Sequence, residues 1–334
     1  MYFEATLKDK ALKFFRLVSR RYAFPPRDIT IEASTKCGQG CAVCFRGPLG
    51  VVPEDMDLAL FFKVLAGIRT AFSGGQPEYL NFVGLGEPFC NPDLGRMLRL
   101  ARETFPGTCL NVSTSLSVLD RKAFAVLVEE GLINRISVSL DGFEPAGAYH
   151  PFSEALAGNF IFMKELKARG KNFKVRVQTL ITSAERVAAA VNFAAVMAAD
   201  EIQLMRMDLH AFGGKPPVSR PPFKEERAIV AGAMALAARR GLRCRSNNSY
   251  NAFMDIASAQ DRFCLCTDDH IFIDVEGNVL PCFYLRKVKL GNLSAQTLAE
   301  IIVKKRGMDF YERQAELCWG CDIYKKEHCG GEGA

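Results

Sequence analysis

The chain of 334 residues lacks the marks of several large protein classes. It has no run of ~18 apolar residues, so no segment reads as a membrane-spanning helix. Residues 1–28 contain no uninterrupted apolar stretch and no small-residue cleavage site, so secretion is not expected and the compartment read is the cytoplasm. Dense Lys/Arg blocks and RNA-binding signatures are missing, and the net charge of +6 is scattered, so no nucleic-acid partner is expected. With export set aside, the twelve cysteines read as ligands or free thiols rather than disulfides.

Three of them sit in the run Thr35-Lys36-Cys37-Gly38-Gln39-Gly40-Cys41-Ala42-Val43-Cys44, a C-x3-C-x2-C spacing. Three thiolates on one short loop can hold three irons of a cubane and leave the fourth without a protein ligand, and such a vacancy marks a reactive centre rather than a closed structural one. The alternative is a zinc knuckle completed by a distant thiolate.

From Asp28 onward short apolar runs alternate with helical ones. Strands are expected near 29–33, 79–83, 109–113, 135–139, 173–180 and 201–207. Between them fall helices near 57–72, 93–104 and 154–169, the last closed by Gly170. A further helix is capped by Asp120 and stopped by Gly131, and another starts at a Thr182/Glu185 capping-box spacing. Six such units predict an α/β fold, a partial (β/α)6 TIM-like barrel, with ligands at the carboxyl ends of the strands. The cysteine loop follows the first strand directly, which makes zinc the poorer reading. A breaker-rich stretch at 213–222 and a helix at 224–240 end the alternation. Six cysteines fall in the last 71 residues, and residues 271–281 read as a hairpin turning at Gly277-Asn278. The expected division is a helical extension (1–28), a core (29–245) and a small cysteine-rich auxiliary-cluster domain (246–334). In the extension, Leu7, Ala11, Phe14, Phe15 and Val18 oppose Lys10, Lys13, Arg16, Arg20 and Arg21, a pattern suited to packing on the main domain or, less readily, to a membrane surface.

Gly84-Leu85-Gly86-Glu87-Pro88 follows the second strand; its glycines permit close backbone approach, and Glu87 can accept from a ligand ammonium group. Together with the cysteine loop, with Ser113-Thr114-Ser115 after strand three and with Ser139-Leu140-Asp141-Gly142 after strand four, this resembles the radical S-adenosylmethionine (SAM) superfamily over most of residues 29–210. The resemblance implies a [4Fe–4S] cluster held by Cys37, Cys41 and Cys44, with SAM chelating the open iron. It implies Gly86 and Glu87 facing the methionine ammonium, Gly84 and Pro88 as further cofactor-binding positions, Ser139 near the ribose or carboxylate, and a lesser role for Ser113 and Ser115. Two departures stand out. Val43 replaces the aromatic or Met residue that packs near adenine in many relatives, a contact Phe45 could supply, and 143–156 holds no Arg for the SAM carboxylate.

The C-terminal cysteines are similar to the SPASM and shorter twitch auxiliary-cluster regions of that superfamily. Cys264, Cys282, Cys318 and Cys321 are the implied ligands of one auxiliary [4Fe–4S] cluster, with Cys266 and Cys329 as alternates and structural zinc as the competing reading. Phe283 stands where sulfatase-maturing relatives carry a basic Asp, which argues against that activity. His210, Asp208 and Tyr149 are the candidate acid–base residues, and Cys90, Cys109 and Cys244 default to small buried thiols. The implied activity is reductive cleavage of SAM and hydrogen abstraction from a peptide or small metabolite, with net oxidation through the auxiliary cluster, as in a maturase or a twitch-type dehydrogenase. A one-electron donor of flavodoxin or ferredoxin type is the implied partner. With 28 residues before strand one, leader recognition would need a separate protein. The non-enzymatic alternative is an iron–sulfur or zinc scaffold, which leaves Gly86-Glu87-Pro88 unexplained.

Overall fold

The computed structural model describes residues 25–140, 154–206, 220–246, 270–282, 284–305 and 313–318, with Phe212 and Val218. The N-terminal helix expected before residue 25 lies outside the described residues.

Seven parallel strands run in chain order, β1 Asp28–Ile31, β2 Tyr79–Phe82, β3 Cys109–Thr114, β4 Arg135–Ser139, β5 Lys174–Leu180, β6 Glu201–Met205 and β7 Arg243–Ser246. They alternate with helices α1 Leu58–Arg69, α2 Leu94–Thr104, α3 Arg121–Glu129, α4 Glu154–Ala168, α5 Ala184–Val196 and α6 Phe223–Arg239. On the other side of β1, β8 His270–Ile273 pairs parallel, Asp28 opposite His270, and β9 Asn278–Leu280 and β10 Gly291–Asn292 add antiparallel strands. The ten-stranded sheet is open, ordered β10-β9-β8-β1-β2-β3-β4-β5-β6-β7, so the partial barrel expected from the sequence is the fold.

The strands obey a period of two. Ile29, Ile31, Leu80, Phe82, Leu110, Val112, Ile136, Val138, Val175, Val177, Ile202 and Leu204 join the helices in one buried core. Each such side chain contributes roughly 1.5–3 kcal/mol by leaving water. The alternate positions are polar and nearly as dry. Asn81 donates to Asp28, Asn111 Nδ2 to Asn81 Oδ1 at 3.2 Å, and Ser137 Oγ to Asn111 Oδ1 at 2.9 Å. A sheet face lined by a hydrogen-bonded polar row is suited to a polar ligand rather than to a second hydrophobic layer.

Helix ends follow local chemistry. Asp57 accepts from Leu60 N at 2.7 Å, Asp120 from Lys122 N at 2.8 Å and Ala123 N at 3.1 Å. Gly131 (φ 67°) and Gly170 (φ 82°) supply the left-handed stops. Three expectations need correction. The cap of α5 is Ser183, accepting from Arg186 N at 3.2 Å, and not Thr182. Strand six ends at Met205 rather than 207. The alternation does not stop at the helix before residue 240, because Arg243-Cys244-Arg245-Ser246 adds β7; a short strand carrying two arginines gives no apolar signal. The hairpin near Gly277 is present, with Gly277 at φ 80° and Asp274 Oδ1 accepting from Glu276 N and Asn278 N. Helix α7, Leu298–Lys305, packs on α1, so the elements from β8 to α7 are built onto the same sheet and helix layer.

Candidate active site

Beyond Ile31 the chain leaves β1 and enters the cysteine loop, whose two ends are pinned together. Thr35 N donates to Glu54 O at 2.8 Å and Thr35 Oγ1 to Val52 O at 2.7 Å, while Ser34 Oγ donates to Asp55 Oδ1 at 2.6 Å. Lys36 pairs with Asp55 at 2.6 Å. Within the loop Cys44 N donates to Cys41 O at 3.0 Å, and Arg46 donates to Cys37 O at 3.0 Å. Cys37, Cys41 and Cys44 are all partly exposed on this tethered loop. Fixing its ends lowers the entropy lost when the loop is ordered around a ligand.

The Gly84–Pro88 stretch lies against the root of that loop. A Cβ on Gly86 would fall 2.2 Å from Ser34 O and 2.5 Å from Thr35 Cα, and Glu87 N donates to Lys36 O at 2.8 Å. Only glycine permits this contact. Gly84 is required for a different neighbour: a Cβ there would lie 2.4 Å from Glu32 Cγ.

Glu87 is 2% exposed. Its Oε2 accepts from Ser115 N and Ser115 Oγ, both at 2.8 Å, and its Oε1 is buried with no hydrogen-bond partner among the described residues. Burial pushes its pKa above the usual carboxylate range, a rise tempered by the nearby Thr114 hydroxyl and by Ser115. The turn after β3 is held under strain: Leu116 has φ 61°, fixed by its N–H to Thr114 Oγ1 at 2.8 Å and by Asn159 Nδ2 to its carbonyl at 3.0 Å. Ser115 therefore faces Glu87, whereas Ser113 turns to Gln178 Oε1 at 3.3 Å. Ser139 ends β4 opposite Gln178.

Two charged residues escaped the sequence reading. Glu32, at the end of β1, has a fully buried side chain that accepts from Leu85 N at 2.7 Å and pairs with Arg286 at 2.7 Å. Burial raises its pKa despite Arg286. The alternation Asp28, Thr30, Glu32, Ser34 carries the signal for Glu32, but nothing local points to Arg286. Cys90 belongs to the thiols expected to be small and buried. It closes the 3-10 turn Pro88–Cys90, and its thiol is pushed up by burial and by the charges of Glu87 and Cys37. Cys90, Cys109 and Cys244 are partly exposed rather than buried. The Phe45 ring lies 5.0 Å from both Phe212, tilted, and Tyr284, edge-on, joining the cysteine loop to the β6–α6 connection and the segment after Cys282, while Val43 is partly exposed.

Cys282 follows β9 on a turn and is partly exposed; Cys318 is buried just beyond the short helix Gln314–Leu317. Tyr149, Asp208, His210, Cys264, Cys266, Cys321 and Cys329 lie outside the described residues. No three Cys, His, Asp or Glu side chains converge on a single ion among the described residues. Thiolates that each bind a different iron of a cubane have no need to converge on one. A loop offering three thiols beside a buried carboxylate oxygen without a partner fits a cluster carrying an amino-group ligand.

Residues 264–322 match SPASM, an iron–sulfur cluster-binding domain, so the match starts at Cys264 and stops before Cys329. SuiB of Streptococcus suis bound to precursor peptide SuiA superposes with a TM-score of 0.66 at 17% identity, covering 89% of this chain and 69% of that one. The anSMEcpe structure with bound AdoMet gives 0.60 at 16% identity, covering 83% and 77%. The chain has the radical SAM fold with a SPASM region. A curated relative, the tungsten-containing aldehyde ferredoxin oxidoreductase cofactor-modifying protein of Pyrococcus furiosus, is 27% identical over 128 residues. That stretch covers 38% of this chain and 34% of the relative, about a third of its length. No helix among the described residues is long and apolar enough to cross a membrane.

Proposed function

We propose that this protein is a radical SAM enzyme modifying a peptide or small metabolite. The observation that carries the reading is Glu87: a nearly dry carboxylate with one oxygen satisfied by Ser115 and the other unpartnered, packed against the root of a three-cysteine loop. A [4Fe–4S] cluster with SAM, when bound there, supplies one-electron reductive cleavage of the sulfonium and a 5′-deoxyadenosyl radical able to take hydrogen from an unactivated carbon.

The chain's residues supply the rest. Cys37, Cys41 and Cys44 hold the cluster and leave one iron open. Glu87 Oε1 accepts from the SAM ammonium, which relieves the cost of burying that oxygen unpaired. Gly86 lets the Glu87 backbone lie on the loop root, so the carboxylate and the thiolates move as one body. Gly84 and Pro88 flank that contact, and Ser113, Ser115 and Ser139 line the strand ends around it. Phe45 covers the adenine side in place of Val43. His210, Asp208 and Tyr149 are the acid–base candidates.

Cys264, Cys282, Cys318 and Cys321 hold an auxiliary [4Fe–4S] cluster, with Cys266 and Cys329 as alternates. Four thiolates would leave that cluster no open iron, so it would offer one-electron acceptance rather than substrate ligation, the chemistry a net oxidation of the substrate needs. A one-electron donor of flavodoxin or ferredoxin type supplies the first electron. The likeness to a structure holding a precursor peptide supports a peptide substrate. The relative named as a cofactor-modifying protein supports a wider choice. The polar strand face accommodates either. An iron–sulfur or zinc scaffold gives Glu87 Oε1 nothing to bind.

The deciding test is anaerobic reconstitution, iron and sulfide counting, then dithionite and SAM with detection of 5′-deoxyadenosine. Two cubanes amount to about eight irons; a protein so loaded that forms no 5′-deoxyadenosine is not a radical SAM enzyme.

A further inference from the structure

Glu32 and Arg286 are 254 residues apart in the chain and form a bidentate ion pair, Arg286 Nη2 to Glu32 Oε2 at 2.7 Å and Nη1 to Oε1 at 3.3 Å. The glutamate side chain is fully buried and the arginine side chain 16% exposed. Three segments meet at this pair. Glu32 directly follows β1, three residues before Thr35 at the root of the Cys37 loop, and its own N–H donates to Ile273 O of β8 at 2.8 Å. Its Oε1 also holds Leu85 N of the Gly84–Pro88 stretch, over a glycine that leaves no room for a Cβ. Arg286 comes from the turn following Cys282, where Leu285 N donates to Cys282 O at 3.1 Å, and its guanidinium lies 5.9 Å from the Phe272 ring centroid on β8.

A planar guanidinium with both donors on one carboxylate fixes direction as well as distance. A buried pair of this kind adds little net stability over an apolar substitute, so its persistence calls for another reason. We infer that Glu32–Arg286 is a positioning pair that sets the turn carrying Cys282 against the loop of Cys37, Cys41 and Cys44, so that a bond in this chain fixes the separation of the two thiolate sites. The inference rests on the proposed function only in taking Cys282 as an auxiliary-cluster ligand.

The test separates mechanical linkage from stability. Removing one partner (E32Q or R286M) leaves a buried charge alone and lowers the melting temperature. The double variant E32Q/R286M removes both charges and recovers most of that loss. In the cluster-free full-length protein, hydrogen exchange is followed at 84–87 and at 270–292. Each variant, the double included, is expected to exchange about tenfold faster in both segments together. If either segment keeps wild-type protection in the double variant, the link does not exist.

In the reconstituted protein, the dipolar coupling between the two reduced clusters is read by pulsed electron paramagnetic resonance. A broadened separation in the double variant, despite its recovered melting temperature, is the expected result; a distribution as sharp as wild type overturns the positioning role. Should wild type hold only one cubane and show no second reduced signal, the auxiliary-cluster reading fails instead. The exchange arm then decides the linkage alone.

Discussion

Two carboxylates on opposite ends of the sheet are equally dry and chemically opposite. Glu201 begins β6 at the amino end of the strands, is 4% exposed, and is ringed by Arg176 at 2.5 Å, Arg245 at 3.2 Å and Arg135 at 3.9 Å. Glu87 lies past the carboxyl end of β2, 2% exposed, with hydroxyl and backbone donors on one oxygen only. Burial pushes both pKa values up. At Glu201 the three guanidiniums outweigh it and the pKa falls below the ordinary value; at Glu87 burial wins and the pKa rises. The same burial also drags Arg176 down to about 10. Glu201 thus meets its charge within the chain, whereas Glu87 Oε1 has no hydrogen-bond partner among the described residues. That asymmetry, rather than any single motif, separates framework from site.

The sharpest break of this comparison comes at the cysteines: Cys37→Ala, Cys41→Ala or Cys44→Ala is expected to abolish 5′-deoxyadenosine formation while leaving the melting temperature of the cluster-free protein near wild type. Next is E201Q, which takes the shared carboxylate away from the buried Arg176 and the half-buried Arg135 and Arg245 and should cost about 3–5 kcal/mol of stability, measured by denaturant unfolding. E87Q should act in the reverse sense. Losing a charge-assisted hydrogen bond worth roughly 1.5–3 kcal/mol weakens SAM binding by about 10- to 150-fold in calorimetry, yet stability at pH 7 holds or rises, because an unpaired buried carboxylate is removed.

The pH dependence carries the same opposition. Glu201, with its lowered pKa, contributes stability that is fully present above its ordinary value of 4.5 and is lost as pH falls through the folded value. Glu87, with its raised pKa, does the opposite: stability declines as pH climbs from 4.5 to its folded value. Melting curves of E201Q and E87Q should therefore diverge from wild type in opposite directions across the acidic range, and parallel curves would erase the contrast. The smallest effect is S115A. It removes one of two donors to Glu87 Oε2, should cost about 0.5–1.5 kcal/mol, and should raise the carboxylate's pKa further.

Much of this site was legible because its signals are local. Cys37, Cys41 and Cys44 declare a spacing, Asp57 and Asp120 declare helix starts, and Gly131 and Gly170 declare ends. What stayed hidden depends on partners far along the chain. Strand β7 pairs through backbone while its side chains are Arg243, Cys244, Arg245 and Ser246, and no hydropathy window finds such a strand. The parallel seating of β8 beside β1 has no turn to announce it. Gly84 reads as room for a ligand until Glu32 is seen occupying the space. Arg286 is one lysine- and arginine-rich turn residue among others until its carboxylate is located.

The seating of β8 also bears on how the protein is made. Glu32 N reaches Ile273 O, so the strand that launches the cysteine loop gains its second neighbour from far along the chain, long after β2 has been made. Contacts closed across so long a stretch form late and slowly. The tethers from residues 52–55 and 86–87 are local and come early, whereas the support that β8 gives to the root of the loop comes last. A chain cut short before β8 would keep the first set and lack the second.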